Sequence, residues 1–283
     1  MSRTCFYHAG CPDGFGAAWA VWRAWGQSAR YVARGHEDVL DASAHEGEEV
    51  VFVDIAPRNP LLCELAESAA RVVVLDHHVS ARDHYAGDPS VENRIGGAGH
   101  QIHFDLSHSG AVLAWQYFHP EEAPPELLRY VEDQDLWNWE LAGSQAVNAA
   151  IGSYERRFDV WDTLAERPVP ELEREGEPIL RAQRIEVVRS VAMAHPATLE
   201  GRRVEAVNTP HFRSHVGHQL ALRAAFGHAI GLVYRTQGSR VDASVYSVGD
   251  EDVSVIAQSY GGGGHKNAAG FSVPLAQWVE EFL

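Results

Sequence analysis

Apolar residues in the first half of the chain gather in short unbroken runs, with helix-like stretches between them. Residues 4–8, 50–54 and 72–76 are runs rich in β-branched and aromatic side chains, the pattern of buried strands. Residues 14–26 and 60–70 read as helices, the first bearing small residues and tryptophans. Strand, helix, strand in this rhythm implies βαβ crossovers and a mostly parallel sheet. Further helices are expected over 109–118, where Ser107 or Ser109 can cap, and over 125–132, with Pro125 in the first turn.

A break is expected at 167–176, where Pro, Gly and charge mix, followed by a helix over 177–194 with apolar positions at Ile179, Leu180, Ile185, Val188 and Val191. Beyond it, 203–207, 229–235 and 240–247 read as strands and 212–225 and 253–260 as helices. A glycine-rich loop, a short strand and a short helix close the chain. The expected class is α/β in two domains: a parallel-sheet domain over 1–170, a linker and connecting helix over 171–197, and a smaller α/β domain over 198–283. The length of 283 residues fits two domains at roughly 100–200 residues each.

Composition adds limits. Forty-five per cent of residues are hydrophobic and 22% charged, an ordinary globular balance. No apolar run approaches the roughly 20 residues of a membrane helix, and Met1 to Tyr7 lack the apolar stretch of a signal peptide. The cysteines, Cys5, Cys11 and Cys63, are scattered without a paired spacing, as in a reducing compartment. A cytoplasmic protein without a membrane role is expected. Lys and Arg number 23 against 39 Asp and Glu, a net charge of −16, the wrong sign for gripping long duplex nucleic acid. Small anions are not excluded, because a few local cations outweigh a distant global charge.

Chemistry gathers where the first three strands end. His8 is followed by Cys11-Pro12-Asp13-Gly14, the second strand ends on Asp54 and the third on Asp76-His77-His78. The carboxyl edge of an open parallel sheet is where ligands bind. Several carboxylates packed there repel one another without a cation, and a mixed Asp/His set suits a divalent first-row ion such as Mn²⁺.

These residues, together with Gly261-Gly262-Gly263-Gly264-His265-Lys266-Asn267-Ala268-Ala269-Gly270-Phe271 far downstream, resemble the DHH/DHHA1 phosphoesterases over essentially the whole chain. The resemblance implies hydrolysis of phosphoester bonds in short oligonucleotides or small nucleotides by metal-activated water. It implies metal ligands at His8, Asp13, Asp54 and His77, and an aspartate after the helix that begins near Pro125. Asp135 is favoured, since Leu136-Trp137 after it resembles a family variant; Asp133 is the second choice. Asp54 is expected to bridge two Mn²⁺ ions, with Zn²⁺, Fe²⁺ or Mg²⁺ as alternatives. His78 is expected to face the phosphate and Asp76 to orient a neighbouring histidine, so His78, Asp54 and Asp76 form the catalytic set. Gly263, Gly264, His265, Lys266 and Asn267 are the implied substrate contacts, the glycines leaving backbone amides open to an anion. A homodimer is compatible with this.

Two positions depart from the family pattern. Cys11 stands where a first carboxylate is usual: either it ligates, favouring Zn²⁺ or Fe²⁺, or it packs as a small apolar residue and one metal site is weakened. Tyr246 stands in place of a usual arginine. A weakened nucleotide-binding module and a pyrophosphatase-like enzyme are therefore the alternative readings. Asn208, Ser214, His215 and Gly217 carry little weight as helix-start residue types. His36, His45, His84, His100, His103 and His119 default to solvated surface, although His103 or His108 is near enough to the metal edge to support it. Gly96-Gly97-Ala98-Gly99 lacks the strand-to-helix setting of a dinucleotide loop.

Overall fold

The computed structural model describes residues 1–283 except His36, Glu37, Gly97 and Ala98, and except the side chains of Ser90, Glu92 and Asn93. The expectations for His36 and for Gly97-Ala98 lie outside the described residues. The chain divides into two compact units, Met1–Leu180 and Arg181–Leu283.

The first unit contains β1 (Arg3–His8), α1 (Pro12–Trp25), β2 (Arg30–Arg34), β3 (Glu49–Val53), α2 (Asn59–Ser68), β4 (Arg71–Asp76), α3 (Val79–Ala86), α4 (Pro89–Gly96) and β5 (Gln101–Phe104). It continues with α5 (Gly110–Phe118), α6 (Glu126–Asp135), α7 (Ser144–Ile151), α8 (Phe158–Ala165) and the start of α9 (Val169–Ala192). Among the described residues its strands form one parallel sheet in the order β2-β1-β3-β4-β5. Both faces are covered, which explains the unbroken apolar runs. Cys5, Val51, Val53, Val73 and Leu75 pack with Phe15, Trp19, Trp115 and Trp161 from the helices on one side. Phe6, Val50, Phe52, Val72 and Val74 alternate onto the other side with Leu62, Leu65 and Tyr85.

The second unit adds β6 (His195–Leu199), β7 (Arg202–Asn208), α10 (Arg213–Arg223), β8 (Ile230–Gln237), β9 (Arg240–Ser247), α11 (Val253–Ser259), β10 (Gly263–His265), β11 (Ala268–Pro274) and α12 (Leu275–Glu281). Its sheet runs β10-β11-β9-β8-β7-β6, antiparallel except for β7 with β8. Among the described residues no helix is long and apolar enough to cross a membrane.

Several sequence expectations are corrected. The break at 167–176 is the first turns of α9: Pro170 lies where an amide has no intrahelical partner in any case, so it starts the helix rather than ending it. Gly176 lies within the helix, where close packing requires a glycine: a Cβ would lie 1.7 Å from the Ala146 carbonyl oxygen. Asp54 lies one residue beyond β3, with φ of 57°. The glycine loop is partly strand, β10. His45 and His100 are buried rather than solvated: the Val72 amide donates to Nδ1 of His100, whose Nε2 reaches the Ala66 carbonyl. His119 is half-buried, stacked on Trp115 and bonded to the Ala20 carbonyl.

Candidate metal centre

Parallel β1, β3 and β4 end side by side, and this register delivers His8, Asp54 and the triplet Asp76-His77-His78 to one edge. Asp13 joins them from the first turn of α1. Its two oxygens accept the amides of Gly110 (2.7 Å) and Ala111 (3.0 Å), so the N-terminus of α5 holds the carboxylate by its orphan donors and its dipole. Gly110 is required there: a Cβ would stand 2.4 Å from that of Asp54.

Asp54 faces two ways. Its Oδ1 lies 3.1 Å from Nε2 of His77. Its Oδ2 lies 3.4 Å from Sγ of Cys11 and 3.5 Å from Nδ1 of His8. Nε2 of His77 is also 3.7 Å from Asp13 and 3.5 Å from Asp135, the last residue of α6. Among the described residues, two donor groups flank Asp54, each with its ligand atoms within 4.8 Å of one another: His8, Cys11 and Asp54 on one side, and Asp13, His77 and Asp135 on the other; Asp54, Asp76, His77 and His78 make a further group.

Asp76 is buried behind them. Its Oδ1 accepts the amides of His77 and His78 and lies 2.7 Å from Nδ1 of His78. Asp133 is not among the converging groups. It is buried, and its carboxylate accepts the amides of Glu140 and Leu141, closing the turn after α6. That turn carries Trp137 and Trp139 with φ of 58° and 55°, their rings 5.0 Å apart. Nor is His108 in the centre, since it pairs with Glu132; His103 is exposed.

The electrostatics are those of acids crowded out of water. Burial, with the charges of Asp54 and Asp135, pushes the Asp13 carboxyl well above its ordinary range. Asp135 keeps 28% of its side chain exposed; the desolvation it does meet raises its carboxyl, with the charge of His77 opposing. At Asp54 burial is outweighed by hydrogen bonds from His77 and His8, which hold it well below the usual carboxylate range. Burial disfavours a charged His77, yet Asp54, Asp135 and Asp13 bring it to about 10. Burial, then the charges of Asp54, Asp13 and Asp135, raises the Cys11 thiol. Three carboxylates around one imidazole fit a divalent cation, which relieves the repulsion the fold has built in.

In the second unit, Gly263, Gly264 and His265 pair with Gly270, Ala269 and Ala268. Lys266 and Asn267 make the hairpin turn. The amides of Gly261 and Gly262 donate to the carbonyls of Gln258 and Ala257, so these two are not open to an anion. The Asn267 side-chain amide bonds Ser247 and Gly249, anchoring the turn. Lys266 is exposed, 3.8 Å from Asp250. Tyr246 packs on Gly217, with its hydroxyl 3.4 Å from that of Ser214. His215 is half-buried and Asn208 exposed.

What sequence reasoning missed is the backbone seat of Asp13. Ser109 is legible as a helix cap, and it does cap α5. Nothing local says that this helix N-terminus meets a carboxylate 97 residues earlier.

No family model matches the chain. A curated relative, an uncharacterized protein of Acanthamoeba polyphaga mimivirus, is 26% identical over 287 residues, covering 94% of this chain; the chain spans 66% of that protein's length. Among solved structures, an exopolyphosphatase-related protein from Bacteroides fragilis aligns over 96% of this chain and 86% of its own, with TM-score 0.52 and 10% identity. The pGpG-specific phosphodiesterase PggH from Vibrio cholerae aligns over 99% and 96%, with TM-score 0.47 and 12% identity. RecJ from Thermus thermophilus, solved with Mn²⁺, aligns over 99% and 50%, with TM-score 0.48 and 18% identity. The Bacteroides likeness shows a shared fold, of the α/β class expected from the sequence.

Proposed function

We propose that this chain hydrolyses phosphoester bonds in short oligonucleotides or small nucleotides, using a divalent cation, Mn²⁺ foremost, held by Asp13, Asp54, His77 and Asp135. The observation that carries the reading is the convergence of three carboxylates and an imidazole on the carboxyl edge of the parallel sheet. A divalent cation bound there supplies the charge that acidifies a water and draws electron density from a phosphoryl oxygen.

The chain's own residues do the rest. The amides of α5 fix Asp13 in place. Asp76, bonded to Nδ1 of His78, sets the orientation of that imidazole and makes Nε2 the nitrogen that addresses a phosphate oxygen. In the second unit, His265 and Lys266 offer donors to a phosphate, Lys266 as a compact positive charge. The free thiols of Cys5, Cys11 and Cys63 support a reducing, cytoplasmic setting. The reading as a weakened nucleotide-binding module draws its support from Cys11, a thiol among the ligands.

The test is hydrolysis of a panel by the full chain after metal stripping: a 5′-phosphorylated dinucleotide, a cyclic dinucleotide, 3′-phosphoadenosine 5′-phosphate and pyrophosphate. Cleavage of a nucleotide restored by Mn²⁺ is the expected result. Cleavage of pyrophosphate alone overturns the substrate class, and nucleotide binding without turnover under any divalent ion identifies the module.

A further inference from the structure

The two sides of Asp54 offer different chemistry. Toward His77, the donors are carboxylate oxygens of Asp13, Asp54 and Asp135 and one imidazole nitrogen. Toward His8, they are an imidazole nitrogen, the other Asp54 oxygen and the sulfur of Cys11. Sγ of Cys11 lies 3.3 Å from Nδ1 of His8 and 3.4 Å from Oδ2 of Asp54. Cys11 is also the N-cap of α1, its sulfur accepting the Gly14 amide at 3.2 Å. That cap pins the side chain toward the other two donors, and the helix N-terminus favours negative charge on sulfur.

We infer that Cys11 is a metal ligand and that it makes the centre unequal: the His8–Cys11–Asp54 side selects a thiophilic ion such as Zn²⁺, Fe²⁺ or Co²⁺, and the Asp13–His77–Asp135 side takes Mn²⁺ or Mg²⁺. The inference rests on the metal-dependent reading above. Its physical basis is that thiolate suits borderline and soft cations while carboxylate oxygen suits hard ones. Binding forms one sulfur–metal bond and releases the Sγ proton to solvent, with no change of oxidation state.

The probe is Co²⁺, titrated into the metal-stripped full chain while the near-ultraviolet thiolate-to-cobalt charge-transfer band is recorded. The band is expected to saturate at one Co²⁺ per chain. It should vanish in Cys11→Ser, which keeps a capping oxygen for α1, and persist in Cys63→Ser. Zn²⁺ affinity of Cys11→Ser should fall at least about tenfold, the lower edge of what losing even an outer partner of a metal costs. Cys11→Asp, which caps equally well, should lose the band and shift preference from Zn²⁺ toward Mn²⁺. Cobalt uptake without the band, a band unchanged in Cys11→Ser, or no uptake overturns the inference. The phosphoester reading is judged separately: turnover without the band leaves it standing and removes Cys11, whereas the band without turnover does the reverse.

Discussion

Asp133 and Asp135 lie one residue apart on either side of Gln134, and their surroundings give them different work. Asp133 is bonded to the amides of Glu140 and Leu141 inside the protein, whereas Asp135 reaches His77. Asp133→Ala should therefore cost about 1 kcal/mol in urea denaturation, because the buried carboxylate's bonds to two partly exposed amides are lost. Asp135→Asn should leave the denaturation midpoint unchanged or raised, since it relieves repulsion with Asp13 and Asp54, yet cut Mn²⁺ affinity by at least about tenfold. Glu48 gives a pH prediction. Burial pushes its carboxyl up, but hydrogen bonds from His45, Thr4 and Ser2 and the charge of Arg30 outweigh that and lower it from 4.5 to about 2. Its contribution to stability is complete above the unfolded value and is lost as pH falls from about 4.5 toward 2. Glu48→Gln should flatten the denaturation midpoint over that interval. At this scale the sequence showed which residues gather at the sheet edge, because Asp-His-His after an apolar run has few structural uses. It did not show that Asp133 serves a turn, because both aspartates follow the same helix pattern.

Elements were legible in proportion to how fully they are buried. β1, β3, β4, β8 and β9 lie inside their sheets; β3, β4 and β8 announce themselves as apolar runs and β9 by the alternation of Val241, Ala243 and Val245 with polar residues. β2, β5, β6 and β10 stand at the edges of the two sheets, where one side meets no strand and polar residues are tolerated. None of those four reads as a strand in the sequence. The glycines of β10 are explained by the hairpin: Gly264 has φ of 144°, and a Cβ would lie 2.6 Å from the Ala268 carbonyl oxygen. Gly264→Ala should part β10 from β11, seen as faster amide exchange at Ala268 and Gly270. Helix α9 teaches the complementary lesson, since Pro170 and Gly176 look like punctuation and are accommodated by a helix start and a close helix contact. Gly176→Ala should separate α9 from α7 and cost about 1–3 kcal/mol of stability by overpacking.

At the scale of the molecule, the net charge of −16 includes the acids of the proposed centre, Asp13, Asp54 and Asp135, which a bound cation offsets locally. The surplus still opposes a long polyanion, so turnover per molecule should fall as oligonucleotide length increases, measured on a ladder of 5′-phosphorylated strands at fixed salt. The central claim is that Asp54 holds the cation on which hydrolysis depends, and the most direct measurement is Mn²⁺-dependent turnover of a 5′-phosphorylated dinucleotide by Asp54→Asn beside the unaltered chain. Asparagine tolerates the left-handed backbone at this position, φ 57°, better than alanine does, so the fold is retained and checked by the same denaturation midpoint. The account predicts a loss of about a thousandfold or more, equivalent to about 4 kcal/mol of transition-state stabilisation. Full turnover by a folded Asp54→Asn chain would contradict it.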